Sequence, residues 1–203
     1  MVVFDATMMM LLIYPDSGVP LDYNTGLPVA NVAERIAYFI EKHEKTKVKI
    51  GIPTPALSEI LVRAGAAAVQ IIEKIKEFSV FEILPFDELS AIEVALMTRN
   101  AIESGTKKSG SDAIWSKVKY DRQIVATARV RQATAIYSDD KNLRNTATGI
   151  GMTVISLCEL PLPPEKLQGE LHFNPQVEVT GTLTLEEIEK ARDNEAIGPN
   201  LEQ

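Results

Sequence analysis

Residues 136–143 read IYSDDKNL: a short apolar run, a serine, then two adjacent aspartates, Asp139 and Asp140. Adjacent carboxylates repel each other and stabilise neither a strand nor a core. The stretch therefore reads as a strand (TAIYS) that stops at a polar turn, followed by a short helix, KNLRNTATG, closing at Gly149. The N-terminus repeats the arrangement, because MVVFD is a short buried strand ending in Asp5. A lone acid after a strand is commonly a turn or cap residue. Whether these are more than that depends on what the rest of the chain brings beside them.

Working outward, strands alternate with helices. Breakers between Pro15 and Pro28 mark a loop, and residues 29–44 carry Val32, Ile36, Phe39 and Ile40 at helical spacing. KVKIGIP alternates like a strand and stops at Pro53. TPALSEILVRAG is a helix with Pro55 in its first turn and Gly65 at its end, and a second helix follows from about Ala66 to Phe78. VFEIL is another strand, and Asp87 caps a helix running to about Glu103 through Leu89, Ile92, Val94 and Leu96. SGTKKSGS is a loop, Asp112 to about Gln132 is a long helical pattern, and MTVISL is the last strand. This order predicts an α/β layer fold on a mainly parallel sheet over residues 1–158. From residue 159 the texture changes to PLPPE and an acidic helix candidate, LTLEEIEKARDNE, so residues 159–203 read as an acidic C-terminal extension.

Composition narrows the chemistry. The apolar run Met8–Tyr14 is too short to span a bilayer, and neither a basic leader nor a cleaved signal is expected; the reading is a cytoplasmic protein without a membrane partner. One cysteine, Cys158, excludes an internal disulfide and a cysteine-based zinc site, and only His43 and His172 are available for histidine chemistry. The net charge of −7 is uneven: the extension holds ten acids against three bases, leaving residues 1–158 with 18 of each. Within them, residues 101–145 hold nine bases and five acids, either a surface for a polyanion or ordinary solvated helix faces.

The carboxylates are the remaining candidates. In open α/β sheets the functional crevice lies at the carboxyl ends of the strands, and both Asp5 and the Asp139–Asp140 pair fall there. On the long helix, Ile114, Val118, Asp121, Val125 and Ala128 recur at core-facing spacing, with Asp121 in the middle of the stripe. A buried carboxylate needs a cation, a hydrogen-bond network or a raised pKa. Lys117, one turn earlier, offers a simple ion-pair explanation. Glu59 lies among Ala56, Leu57, Ile60, Leu61 and Val62, where the helix dipole alone would favour an acid. If Asp5, Glu59, Asp121 and Asp140 converge, their repulsion calls for divalent cations, and an all-oxygen site suits Mg²⁺ or Mn²⁺ and phosphoryl chemistry.

In order and spacing, VVFDAT, TPALSEILVR, YDRQIVATA and AIYSDDKNL resemble the four acidic motifs of PIN-domain ribonucleases, especially the VapC-type toxins, over residues 1–158. The resemblance implies a Rossmann-like three-layer α/β/α sandwich and Mg²⁺- or Mn²⁺-dependent cleavage of RNA, leaving a 5′-phosphate and a 3′-hydroxyl. It assigns Asp5, Glu59, Asp121 and Asp140 as catalytic, metal-holding acids. Thr7, Ser138, Asp139 and Asn142 are auxiliary candidates, Asn142 standing where many members carry a further acid. Lys117, Lys119, Arg122, Lys141 and Arg144 are the principal candidates for RNA contact, with Lys107, Lys108, Arg129 and Arg131 beyond them. The implied partners are RNA, an antitoxin protein and a second copy of the chain. The acidic extension is either soluble surface or an internal mimic of RNA. Two other readings stay open: a haloacid-dehalogenase-like phosphatase, which requires a second acid where Thr7 stands, and a PIN fold kept only for binding RNA or a partner.

Overall fold

Val2–Phe4 (β1), Ile50–Pro53 (β2), Phe81–Leu84 (β3), Ile136–Tyr137 (β4) and Val154–Ile155 (β5) pair into one all-parallel sheet in the order β3-β2-β1-β4-β5. The structure, a computed structural model, describes residues 1–14, 18–22, 25–105 and 114–168. Met1–Lys166 forms one compact unit. The acidic helix expected in the extension, the start of the long helix at Asp112, and Lys107 and Lys108 lie outside the described residues.

β1 and β2 are joined by α1 (Ala6–Ile13) and α2 (Val32–Thr46). β2 and β3 are joined by α3 (Thr54–Ala64), a 3-10 turn and α4 (Ala68–Glu77). β3 and β4 are joined by α5 (Glu88–Glu103) and α6 (Trp115–Val130), and β4 and β5 by α7 (Lys141–Thr148); a short α8 (Pro164–Gln168) follows. Right-handed crossovers put the first two helix sets on one face of the sheet and the last two on the other. The packing agrees: α1 lies against α2 and α3, and α3 against α4, whereas α5 and α7 both pack on α6. The result is a three-layer α/β/α sandwich. Every residue of β1, β2 and β4 is buried, as expected of a parallel sheet covered on both faces.

The chain leaves β1 toward one edge of the sheet and β4 toward the other. Their register, Val3 beside Ile136 and Phe4 beside Tyr137, brings the carboxyl ends of the two strands level. This is a topological switch point, where open α/β sheets keep their ligand crevice.

Several boundaries differ from the sequence reading, for local reasons. The alternation in KVKIGIP belongs to Lys47 and Lys49, which precede the strand; β2 itself is buried on both faces. α2 starts at Val32 rather than Val29, because Asn31 takes a left-handed conformation with φ 57°. α6 ends at Val130, and Gln132 turns the chain with φ 53°. Ile114 is 73% exposed at the start of α6 and is not part of its core stripe, whereas Val118, Asp121, Val125 and Ala128 are buried. Asp87 does cap α5, accepting the Ser90 N–H at 2.9 Å. Leu89, Ile92 and Leu96 of that helix nevertheless lie on the surface, at 62, 50 and 40% exposure. The helical run Thr54–Glu77 is long and apolar enough to cross a bilayer by length and composition alone. Ala56, Leu57, Ile60, Ile71 and Ile75 within it belong to the same core as the strands.

Candidate active site

Asp5 and Asp140 each begin a helix directly after a strand, and each uses one oxygen for the cap. Asp5 Oδ1 accepts the Met8 N–H at 2.9 Å, and Asp140 Oδ1 accepts those of Asn142 and Leu143 at 2.8 and 3.2 Å. The cap explanation of these aspartates therefore holds for half of each carboxylate. The other halves take part in a network of their own. Asp5 Oδ2 accepts the hydroxyl of Ser138, which is fully buried and in turn accepts the Asp140 N–H at 3.1 Å. Asp140 Oδ2 accepts from Lys117 Nζ at 2.7 Å.

Asp121 enters from α6, 4% exposed. Its Oδ1 lies 3.4 Å from Lys117 Nζ, while its Oδ2 is buried without a hydrogen-bond partner among the described residues. Leaving a buried carboxylate oxygen unsatisfied costs about 1–3 kcal/mol. Three acids from three elements are thus linked through Asp140: by Ser138 to Asp5, and by Lys117 to Asp121.

The electrostatics follow from this crowding. Burial pushes Asp5 up to about 7 against the lowering effect of the Met8 and Ser138 donors, and the charges of Asp140 and Asp139 add to the rise. Burial likewise pushes Asp121 up to about 6, opposed by Lys117 and reinforced by Asp140 and Glu59. Burial acts upward on Asp140 too, but the Lys117 ion pair and the cap N–H groups outweigh it and hold that carboxyl below its ordinary value. Lys117 is raised, its desolvation being outweighed by Asp140 and Asp121. Lys117 is the ammonium in contact with this cluster, and the raised carboxyls of Asp5 and Asp121 keep their protons to higher pH than ordinary aspartates.

The other expected site residues divide. Glu59 is near enough for its charge to act on Asp121, but its carboxylate is half-exposed and paired with Arg63 at 2.8 Å. Thr7 is half-buried in the first turn of α1, and Asn142 half-buried in the first turn of α7. Asp139 accepts the Leu157 N–H with both oxygens, at 3.2 and 3.3 Å, fastening β4 to the segment after β5.

Among the bases, Lys119 and Lys141 are exposed. Arg122, expected to contact RNA, is 1% exposed. It donates to Thr98 Oγ1 at 3.1 Å, and its guanidinium sits 5.4 Å from the Trp115 ring centroid, so in this conformation it ties α5 to α6 and presents no surface to a polyanion. Arg144 is engaged with Ser156, the Val154 carbonyl and, at 3.7 Å, Glu159. Of the other bases, Arg129 pairs with Glu93 at 3.1 Å and Arg131 with Asp87 at 2.9 Å. The sequence reading missed the second contact of Lys117, to Asp140. Only the i,i+4 pair with Asp121 leaves a local signal.

In this arrangement, no three His, Cys, Asp or Glu side chains among the described residues stand close enough to hold a metal ion. The ammonium of Lys117 lies between two of the acids, and Glu59 faces Arg63. The donor set nonetheless suits a hard divalent ion. It is all carboxylate oxygen, and Asp121 Oδ2 is a buried ligand atom that no described residue satisfies.

The architecture is similar to chains in three DNA-bound complexes. A chain of FitAB on an IR36 DNA fragment matches with a TM-score of 0.53 and 17% identity, covering 79% of this chain and 98% of that one. VapBC from Salmonella typhimurium gives 0.50 and 18%, covering 78% and 100%. VapBC2 from Rickettsia felis, bound to a promoter fragment, gives 0.50 and 14%, covering 76% and 96%. At these identities the likeness is one of fold, and the fold is PIN-like. No family model and no curated protein matches the sequence.

Proposed function

We propose that this chain is a divalent-metal-dependent endoribonuclease of the PIN type, acting as the toxin of a toxin–antitoxin pair. The observation that carries the reading is the buried, unpartnered Oδ2 of Asp121, in an acid cluster at the switch point of a PIN-like fold. Once their side chains close on the ion, Asp5, Asp121 and Asp140 would hold Mg²⁺ or Mn²⁺, with Glu59 available when it leaves Arg63. The bound ion supplies Lewis acidity, activating water and neutralising charge on the scissile phosphate.

The chain's own residues do the rest. Ser138 holds Asp5 Oδ2, and the α7 cap fixes Asp140. Lys119 and Lys141, both exposed, are the bases assigned here to the RNA backbone. Thr7, where a phosphatase of the haloacid-dehalogenase type needs its second acid, disfavours that alternative.

Two surfaces support the partner assignments. A trough of about 430 Å³ between α1, α2 and α4, lined by Met9, Leu12, Ile13, Ile40, Ile71 and Ile75 among others, suits an apolar helix face from an antitoxin. The exposed Leu89, Ile92 and Leu96 of α5 suit a second copy of the chain.

The test is incubation of the protein with structured RNAs in EDTA, Mg²⁺ or Mn²⁺, beside an Asp5→Asn control. Cleavage is expected only in the presence of the metals and only with the unaltered chain. Cleavage that persists in EDTA or in Asp5→Asn would remove the mechanism.

A further inference from the structure

We infer that Lys117 is the resident cation of the acid cluster: a divalent ion binds there by exchange with its ammonium, so Lys117 sets the metal affinity of the site. The inference rests on the metal-site reading above and adds to it a role for a residue outside the set of acids.

Three observations support it. Lys117 Nζ lies between acids from two elements, 2.7 Å from Asp140 Oδ2 and 3.4 Å from Asp121 Oδ1. An exposed i,i+4 pair would account for one of these contacts and not for the bridge to a residue 23 positions away. Second, the ammonium leaves the cluster incompletely satisfied, because Asp121 Oδ2 keeps no partner among the described residues. A cation able to gather more oxygens than an ammonium would therefore replace it with a gain. Third, the Lys117 side chain is 42% exposed, whereas that of Asp121 is 6% exposed. The acid is fixed in the core, while the lysine stem reaches in from the solvent side and has somewhere to go. Asp140 Oδ1 stays on the α7 cap during such an exchange, and only Oδ2 changes partner.

The physical consequence is competition. Two cations cannot occupy the space between Asp121 and Asp140 without strong repulsion. Each metal ion that enters must displace the ammonium, which lowers the apparent affinity for the ion. In exchange, the lysine keeps the empty cluster from accumulating unbalanced negative charge.

Calorimetric titration with Mn²⁺ of the full chain, Lys117→Met and Lys119→Met tests this, together with acylation of lysines read by mass spectrometry. Lys117→Met should bind Mn²⁺ at least about tenfold more tightly than the unaltered chain. Lys119→Met, which removes the same charge from an exposed position, should stay within about twofold. Saturating Mg²⁺ should raise the acylation of Lys117 severalfold and leave that of Lys119 unchanged. Mn²⁺ binding that is equal or weaker in Lys117→Met, or Lys117 acylation that does not respond to Mg²⁺, would overturn the exchange while leaving the metal site standing. Absence of Mn²⁺ binding to every form would overturn both.

Discussion

The hydroxyl of Ser138 donates to Asp5 Oδ2 while accepting the Asp140 N–H at 3.1 Å, so one buried side chain fixes the acids at the ends of two neighbouring strands. Ser138→Ala removes both bonds and leaves Asp5 Oδ2 without its donor. The loss is expected to cost about 1–3 kcal/mol, or roughly 2–12 °C in melting temperature for a chain of this size. Mn²⁺ affinity should fall about tenfold or more, as when a residue that orients a metal ligand is lost. Thermal unfolding and calorimetry on the same samples check the two effects separately.

The acid cluster predicts a pH dependence of stability in the metal-free chain. Asp5 and Asp121 lie at about 7 and about 6 in the folded chain, against 3.8 as the ordinary value. Between those limits the folded chain binds more protons than the unfolded one. Their stabilising contribution is therefore complete below the ordinary value and is lost as pH rises through about 6 and 7. Asp140, held low, works in the opposite sense: its contribution is present above its ordinary value and is lost as pH falls through its folded value. From about pH 5 to about pH 8 the raised acids, Asp139 among them, act against the lowered His43, and because Asp5 and Asp121 are carried to about 7 and about 6 the melting temperature in EDTA should fall. Asp5→Asn should flatten the fall, and added Mn²⁺ should restore the melting temperature of the unaltered chain at the upper end.

The legible parts of this molecule were those with local causes. Asp5, Asp87 and Asp140 cap helices directly after strands or turns, and the caps left their signature in the order of residues. The depth of Asp121 was readable from the apolar stripe it interrupts. What escaped the sequence was set by tertiary packing. Arg122 is adjacent to Asp121 and looked solvent-facing, but α6 is packed by α5 and α7 as well as by the sheet, so it buries more than one face. The contact of Lys117 with Asp140 joins α6 to the start of α7, which no periodicity reveals. Leu89, Ile92 and Leu96 marked the helix by their spacing, but spacing does not say which way α5 turns them, and they lie on the surface.

The two classes of base should separate experimentally. Arg122→Ala removes a buried guanidinium and its packing on Trp115, so it should destabilise the chain by about 2–4 kcal/mol. Lys119→Ala and Lys141→Ala should leave stability within about 0.5 kcal/mol. Each should reduce the salt dependence of RNA binding by roughly 0.7 in log–log slope if it contacts a phosphate. Chemical denaturation and fluorescence anisotropy at several salt concentrations distinguish them.

The outward apolar stripe of α5 predicts self-association. Light scattering should report a dimer for the unaltered chain and a monomer for Leu96→Lys, with helical content unchanged. A monomer in both would assign the stripe to another partner.

Metal binding by the acid cluster is read directly from the loss of the free-ion Mn²⁺ electron paramagnetic resonance signal, for the unaltered chain and for Asp121→Asn. The amide keeps the shape of the side chain and removes the charge that the site needs. Saturable binding by the unaltered chain is expected, with an affinity at least about tenfold lower in the variant. Equal binding by both forms, or no binding by the unaltered chain, would contradict it.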